Sequence, residues 1–264
     1  MNSQQEKNLL IIKVGTNVLA DTEHDSEKLN KTSFENIGRE VRHLSDSGTG
    51  IILVSSGAIT AGIVDEGKKR KEVKNAVELQ RYAARGWDRV LQQWKLAIGD
   101  KRISSTMLTK REVHTKSMRD KALSVINCCL SHNDIFIVNE NDTISDDEIK
   151  FGDNDTLAAA LAVECINAGL FTSVKLLLLT NVGGLNKVAH DSTTLIRKVT
   201  DITSVEQYAG DATSNHSRGG MKTKVDAART ATRAGIETYI TNGRTTRVIT
   251  RTLDGEVGTR FVVS

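Results

Sequence analysis

The sequence predicts an α/β fold of three layers, in which helices cover both faces of a mostly parallel central sheet. Short apolar runs such as residues 9–14 and 174–179 are typical of strands that are buried on both faces. Helical patterns separate these runs, and strands that alternate with helices at this spacing form parallel sheets. Ligands of such sheets bind beyond the C-terminal ends of the strands. The polar clusters of this sequence follow its apolar runs, so we expect the functional site there.

The composition is that of an ordinary globular chain. Its 264 residues, 38% hydrophobic and 26% charged, suffice for one large α/β domain or two small ones. A net charge of +3 is too small to indicate nucleic acid binding, and aromatic residues at 4% are too few for base-stacking surfaces. No apolar run approaches the roughly 20 residues that span a bilayer, and the N-terminus lacks a signal-peptide core. We therefore expect neither nucleic acid nor a membrane as partner.

The cysteines and histidines indicate neither disulfides nor a metal centre. There are three cysteines, Cys128, Cys129 and Cys165, and an odd count with an adjacent pair does not fit a disulfide framework. The six histidines are scattered without zinc-type spacing. We expect a cytoplasmic protein without a dedicated metal-ligand cluster.

The first half of the chain alternates predicted strands and helices. Strand 9–14 precedes a helix over 33–47, which Ser33 can cap and Gly48 ends. The elements that follow are a strand over 51–54, a turn of small residues with a helix start at 55–58, a helix over 75–94, a strand over 103–108, a helix over 117–130 and a strand from 135.

The second half continues the alternation. Its predicted elements are a helix that ends near 168, a strand over 174–179, a polar connection over 190–201, a short helix over 203–209, a helix that runs to about 234, and closing strands over 236–240 and 259–263. No internal repeat and no linker-like stretch interrupts the pattern. We expect residues 1–264 to form a single domain.

Lys13 interrupts the first apolar run. A lysine in a buried strand is rare unless its ammonium group meets anions. The alternative is a lysine at the tip of the strand that reaches water, and this segment alone favours neither interpretation.

An acidic stretch joins the strand from 135 to the next helix. Eight of the 22 residues from Asp134 to Asp155 are Asp or Glu, and crowded carboxylates are costly without a cationic partner. A solvated acidic loop is one interpretation. Asn139, Asn141 and Asn154 interleave with the acids, which favours a shaped site for a metal, an ammonium group or lysines.

A glycine-rich segment precedes the helix that runs to 234. Gly219 and Gly220 stand before its start, and Lys222 and Lys224 lie in its first turn. Cations there oppose the helix dipole, but a bound phosphate group would be attracted by dipole, amides and ammonium groups together. The alternative is a flexible loop with surface lysines.

The common nucleotide-binding signatures are absent. The sequence contains no P-loop and no dinucleotide fingerprint after its first strand, and no protein-kinase motif set. Two lysines, Lys13 and Lys224, remain with several glycine turns. Phosphoryl transfer needs mainly positioning and cations, which these groups supply without a covalent intermediate.

The motifs resemble those of the glutamate 5-kinase family, which has the amino acid kinase fold. In chain order they are K-x-G-T-N at 13–17, S-S-G-A-I-x-A-G at 55–62, N-E-N-D at 139–142, E-I-K-x-G-D-N-D at 148–155, L-L-L-L-T at 176–180 and G-G-M-x-T-K at 219–224. The match runs from Leu9 to Phe261. The resemblance implies transfer of the ATP γ-phosphate to the γ-carboxylate of L-glutamate, the first step of proline synthesis.

The resemblance also implies roles for individual residues. Lys13 and Lys224 would hold the phosphates and stabilise the transferring group, while Asp153 and Asp155 would orient the lysines or Mg²⁺. Substrate binding would fall to Ser56, Gly57, Asn139, Asp142, Lys150 and Asn154. ATP would contact Lys13, Gly15, Thr180, Asn181, Gly219, Gly220, Met221 and Lys224.

The departures from the family pattern cluster on the nucleotide side. Asn181 stands where the family usually has Asp, and Asn186 stands where it usually has Tyr. Asn215, Ser217 and Arg218 replace the first half of the usual glycine loop. Many bacterial relatives carry a C-terminal PUA domain, which we expect this chain to lack. The resemblance further implies a homo-oligomer and feedback inhibition by L-proline.

Two other functions compete with glutamate phosphorylation. One is an acid kinase of the same fold that acts on aspartate, acetylglutamate or a nucleoside monophosphate, although the D-N-D motif at 153–155 speaks against it. The other is a glutamate or proline sensor without turnover, which the altered nucleotide loop suggests. The presence of both Lys13 and Lys224 argues against a sensor.

Overall fold

The computed structural model describes residues 7–21, 28–73, 75–99, 101–144, 154–189, 191–210 and 220–262. In these residues ten strands form: β1 Asn8–Val14, β2 Ala20–Asp21, β3 Lys28–Leu29, β4 Gly50–Ser55, β5 Ile103–Leu108, β6 Ile135–Glu140, β7 Ser173–Thr180, β8 Lys198–Val199, β9 Glu237–Asn242 and β10 Thr259–Phe261. The α-helices of the same residues are α1 Thr16–Leu19, α2 Lys31–Asp46, α3 Ala58–Asp65, α4 Ala76–Ile98, α5 Lys110–His114, α6 Lys116–Ser131, α7 Asn154–Asn167, α8 Met221–Arg233 and α9 Val248–Leu253. Short 3₁₀ segments lie at Arg70–Glu72, Ser192–Thr194 and Thr203–Tyr208.

One eight-stranded sheet organises the molecule, in the order β5-β6-β4-β1-β7-β9-β10-β8. The pairs from β5 through β9 are all parallel, and β10 is antiparallel to β9. The predicted mostly parallel sheet is therefore confirmed. Because β1 lies between β4 and β7, the first of the described strands occupies the middle of the sheet.

The two faces of the sheet contribute to two separate hydrophobic clusters. Along β1, Leu9 and Ile11 face one cluster, whereas Leu10, Ile12 and Val14 face the other. Residues of α7 and α8 complete the first cluster, and residues of α2, α4 and α9 complete the second. Burial on both faces explains why the strands read as continuous apolar runs. The predicted three-layer fold is confirmed.

The predicted boundaries differ from the structure mainly at helix ends. The predicted cap of α2, Ser33, lies inside the helix, and Asn30 is the cap because its side chain accepts from the Ser33 N–H at 2.9 Å. Gly48, with a φ of +89°, lies just beyond the end of α2, as predicted. The segment predicted as a short helix over 203–209 is the 3₁₀ segment Thr203–Tyr208. Among the described helices, none is both long and apolar enough to cross a membrane.

Helices α3 and α4 cross at backbone contact. A Cβ atom at Gly86 would lie 1.9 Å from the carbonyl oxygen of Ala58, and one at Gly62 would lie 2.1 Å from that of Tyr82. Both positions therefore require glycine. Since Ala58 is the first residue of α3, this crossing fixes the start of that helix.

Candidate active site

The C-terminal ends of the central strands meet at one edge of the sheet. Lys13 pairs in register with Val54 of β4 and Leu178 of β7. Just beyond it, the Gly15 N–H donates to the carbonyl of Leu179 at 3.0 Å, and the Ser56 N–H donates to that of Val14 at 3.1 Å. These bonds bring the K-x-G-T-N and S-S-G-A segments together at this edge.

Asp155 brings the two predicted lysines together. Its Oδ1 lies 2.7 Å from Nζ of Lys13, and its Oδ2 lies 3.1 Å from Nζ of Lys224. Lys13 comes from the middle strand, Asp155 from the first turn of α7, and Lys224 from the first turn of α8. Three distant parts of the chain thus converge on one carboxylate.

The three charged side chains are almost completely buried, with 5%, 0% and 4% of Lys13, Asp155 and Lys224 exposed. Burial by itself would raise the pKa of Asp155, but the charges and hydrogen bonds of the two lysines outweigh it and lower the pKa to about 2. Asp155 is therefore ionised at neutral pH. The Lys13 ammonium meets an anion in the interior rather than reaching water, which decides between the two interpretations of this residue.

Lys224 lies in the first turn of α8, where the helix dipole disfavours a cation. Its ion pair with Asp155 offsets this cost within the protein. Thr223 adds a further polar contact, since its Oγ1 lies 3.1 Å from Asp155 Oδ2 and 2.8 Å from the Gly220 carbonyl. Thr223 was not among the predicted site residues, although it stands within the G-G-M-x-T-K motif.

A network of buried amides lies on the other side of Asp155. The Asn154 Nδ2 donates to Ser56 Oγ at 3.0 Å and to Asn139 Oδ1 at 3.2 Å. Its Oδ1 accepts from the Glu140 N–H at 3.0 Å, and the Asn139 Nδ2 donates to Asp142 Oδ2 at 3.3 Å. Four of the predicted substrate-binding residues thus form one hydrogen-bonded group between the ends of β4 and β6.

One carboxylate oxygen at the edge of this network belongs to Asp142. Its Oδ1 is buried and has no hydrogen-bond partner among the described residues, and only 5% of the residue is exposed. Burial raises the pKa of Asp142 to about 7; the hydrogen bond from Asn139 opposes this shift and the charge of Glu140 adds to it. A cation delivered by a ligand would satisfy this oxygen.

The acidic stretch is not simply a solvated loop at its described ends. Five of its described residues, Asn139, Glu140, Asp142, Asn154 and Asp155, are buried. Lys150 and Asp153, two of the predicted site residues, lie outside the described residues.

The predicted nucleotide side lies across β1 from the amide network. Thr180 ends β7, and its carbonyl accepts from the Gly243 N–H at 2.8 Å. Asn181 follows it and is exposed. A Cβ atom added at Gly220, which precedes α8, would meet no described residue within 4 Å, and Met221 begins the helix. Gly219 and the unusual residues Asn215, Ser217 and Arg218 lie outside the described residues.

A second contact that the sequence did not indicate lies at Ser55, the residue before Ser56. The indole Nε1 of Trp94 donates to the hydroxyl of Ser55 at 2.8 Å, and both residues are fully buried. The bond ties α4 to the last residue of β4. Trp94 was predicted only as part of the apolar stripe of α4, because a stripe does not reveal where an indole N–H finds its acceptor.

The described residues offer no preformed metal cage. No three His, Cys, Asp or Glu side chains of this part of the chain are grouped to hold a metal ion, and Asp155 directs both oxygens at ammonium groups.

Comparison with known proteins agrees with this geometry. A model of the amino acid kinase family matches residues 8–242. The glutamate 5-kinase of Moorella thermoacetica is 37% identical over 96% of this chain, which spans 66% of that protein. The glutamate 5-kinase of Clostridium acetobutylicum is 36% identical over 97% of this chain and 94% of its own length.

Solved structures share the fold at lower identity. A carbamate kinase from Giardia lamblia bound to AMP-PNP superimposes with a TM-score of 0.64 at 17% identity, covering 98% of this chain and 99% of that chain. An isopentenyl phosphate kinase gives a TM-score of 0.63 at 17% identity, covering 97% and 100%. This likeness confirms the amino acid kinase fold and extends no further. On the identity to its curated relatives, the chain belongs to the glutamate 5-kinase family, within the amino acid kinase family.

Proposed function

We propose that this chain transfers the γ-phosphoryl group of ATP to the γ-carboxylate of L-glutamate, which yields γ-glutamyl phosphate for proline synthesis. The names of its relatives support this activity. The observation that carries it is the convergence of Lys13 and Lys224 on Asp155 at the strand ends.

The two lysines act on the transferring phosphoryl group. Phosphoryl transfer depends on positioning and on cations that neutralise the charge of the phosphoryl oxygens. The ammonium groups of Lys13 and Lys224 supply that charge, and Asp155 holds both in place from one carboxylate. Because all three groups are buried, their electrostatic effect is stronger than it would be in water.

The amide network binds the acceptor. A carboxylate nucleophile is already ionised and needs no general base. Oδ1 of Asp142, which has no hydrogen-bond partner among the described residues, is suited to the α-ammonium group of glutamate. Asn154 reaches both Ser56 and Asn139, so this group orients the substrate toward Lys13. Gly57, in the left-handed region at a φ of +102°, lets the start of α3 approach the same space.

ATP binds on the side of β7 and α8. The N–H groups of the first turn of α8 and the helix dipole favour phosphate, and a Cβ atom added at Gly220 would meet no described residue within 4 Å. Mg²⁺ that accompanies the nucleotide neutralises its phosphate charges when bound. Thr180 and Asn181 border the same side from the end of β7.

Further properties are proposals that rest on the resemblance. They are assembly into a homo-oligomer, inhibition by L-proline, a cytoplasmic location and the organisation of residues 1–264 as one kinase domain. The last is supported by the eight-stranded sheet, which contains strands from both halves of the chain.

The test is γ-glutamyl hydroxamate formation from L-glutamate, MgATP and hydroxylamine. L-aspartate and acetylglutamate serve as controls, and a parallel series contains L-proline. Product with glutamate alone supports the proposal. Product with another acid would contradict the proposal and indicate a different acid kinase. Thermal stabilisation by glutamate or proline without turnover would contradict it and indicate a sensor.

A further inference from the structure

A tight turn after β9 contacts two segments of the nucleotide side. The Gly243 N–H donates to the carbonyl of Thr180 at 2.8 Å, and the Thr245 N–H donates to that of Asn242 at 3.0 Å. The Asn242 side chain accepts from the Arg244 N–H at 2.9 Å. The turn is thereby fixed to the end of β7.

From this turn the Arg244 guanidinium reaches the segment that follows Lys13. Its Nη2 lies 2.9 Å from the carbonyl oxygen of Asn17, 2.9 Å from that of Ala20 and 2.8 Å from Oδ1 of Asp21. Asp21 is itself held by Asn30, whose Nδ2 donates to the same oxygen at 3.0 Å. One side chain thus binds both carbonyls and the carboxylate at the end of α1.

Helix α1 needs such support because it is too short to be stable by itself. It has four residues, and its N-cap, Gly15, provides no side-chain hydrogen bond. Helices of this length do not persist without tertiary contacts, and terminal carbonyls need external donors. The carbonyl of Gly15 accepts from the Val18 N–H at 2.9 Å, so a shift of α1 would move Gly15.

Gly15 lies beside the proposed phosphoryl site. A Cβ atom placed on it would be 3.7 Å from the Lys13 Nζ, so its backbone borders the ammonium group. On the other side, a Cβ atom at Gly243 would lie 2.8 Å from Cγ1 of Val18 and 3.0 Å from Cβ of Leu179. Only glycine lets the turn come this close to α1.

We propose that Arg244 is a positioning residue for phosphoryl transfer, which fixes α1 and thereby the Gly15 backbone next to Lys13. This inference rests on the proposed function. Arg244 acts through the chain and not on the substrates. Its loss should therefore displace the phosphate-facing backbone while the amide network at β4 and β6, which it does not contact, still binds glutamate.

The test compares Arg244→Met with Arg251→Met on α9, which removes an exposed ion pair between Arg251 and Glu256. We expect Arg244→Met to lower kcat about tenfold or more, because a misplacement of ~1 Å can cost roughly a hundredfold. The glutamate KM should stay within about twofold. Arg244→Lys should recover part of kcat, since an ammonium group can still reach one of the carbonyls. Equal kcat in the Arg244→Met and Arg251→Met proteins would overturn the proposal.

Amide hydrogen exchange of Val18 and Leu19 tests the contact without using activity. Both N–H groups donate to the Gly15 carbonyl. Their exchange rates should therefore rise in Arg244→Met and stay at the wild-type value in Arg251→Met. Faster exchange with wild-type kcat would refute a positioning role. If the wild-type protein itself forms no hydroxamate, the proposed function fails. Exchange at Val18 and Leu19 that is slow only when Arg244 is present would still show that Arg244 fixes α1. Exchange that is the same with and without Arg244 would refute that contact as well.

Discussion

Lys13 and Asp155 form a buried ion pair of 2.7 Å that joins the middle strand of the sheet to the first turn of α7. Removing one partner of such a pair is costly, because the other charge is left in the interior. The same contact orients the ammonium group on which the proposed chemistry depends. Substitutions here should therefore affect stability and turnover together.

Asp155→Asn should be the most damaging single change in the site. It leaves the ammonium groups of Lys13 and Lys224 buried without the carboxylate that both bind, and we expect a loss of about 3–5 kcal/mol in the free energy of unfolding. Hydroxamate formation should fall with it. Urea denaturation checks the stability, with Asp120→Asn, at an exposed pair with Lys116, as control. Equal denaturation midpoints for the two variants would show that Asp155 does not hold the lysines.

Lys224→Ala should abolish phosphoryl transfer while the fold remains. Asp155 keeps its contact with Lys13 in this variant, so the remaining carboxylate is still paired. The missing ammonium group should cost about a hundredfold or more in kcat. Hydroxamate assays and circular dichroism measure the two effects, and Lys198→Ala, at an exposed lysine of β8, is the control. Near-normal turnover would remove the central role of Lys224.

Asp142→Asn should mainly raise the glutamate KM. The amide keeps the shape of the side chain and removes the charge that would face the α-ammonium group, a loss of about 1.5–3 kcal/mol or roughly ten- to a hundredfold in KM. The ATP KM should stay near the wild-type value. Steady-state kinetics at pH 8 check this, with the exposed Asp88→Asn as control. A change confined to the ATP KM would place Asp142 on the nucleotide side of the site and contradict its assignment to glutamate binding.

Glutamate use should depend on pH through the same carboxyl group. With the pKa of Asp142 raised to about 7 by burial, the group is ionised at pH 8 and mostly protonated at pH 6. The protonated form cannot attract an ammonium group, so kcat/KM for glutamate should fall below pH 7, by up to about tenfold per pH unit. Asp142→Asn should lack this dependence. The same pH profile in both proteins would assign the titration to another group.

Gly86→Ala should destabilise the crossing of α3 and α4. The added Cβ would lie 1.9 Å from the Ala58 carbonyl oxygen and 2.4 Å from the Gly62 nitrogen, and neither backbone atom can move freely. We expect a loss of about 1–3 kcal/mol or more, measured by urea denaturation. Gly183→Ala, where no described residue lies within 4 Å of the added atom, is the control. A similar small change in both variants would mean that the crossing can relax.

The sheet could be predicted from sequence because its strands are buried on both faces. Predicted strand 103–108 coincides with β5, and 174–179 falls one residue inside each end of β7. The short elements could not be predicted. Strand β8 has two residues and α1 has four, so tertiary contacts rather than local periodicity define them.

Local sequence patterns could not predict which site residues pair with one another. Lys13 allowed two interpretations, and only the carboxylate of Asp155, distant in the chain, decides between them. The motifs indicated most of the candidate residues, whose roles remain predictions. Arg244 follows an ordinary strand in a short turn, and its partners are backbone carbonyls. Because every residue has a backbone carbonyl, the sequence does not show which residues accept such hydrogen bonds.

The central place of β1 has a consequence for synthesis on the ribosome. Among the described strands β1 is translated before the others, and β4 can cover one of its edges early. Its other edge pairs with β7, which begins only at Ser173 and is translated much later. Until then a strongly apolar strand keeps an open edge, which is a hazard for aggregation. Slow translation before residue 180 should therefore increase the demand for chaperones more than slow translation after it.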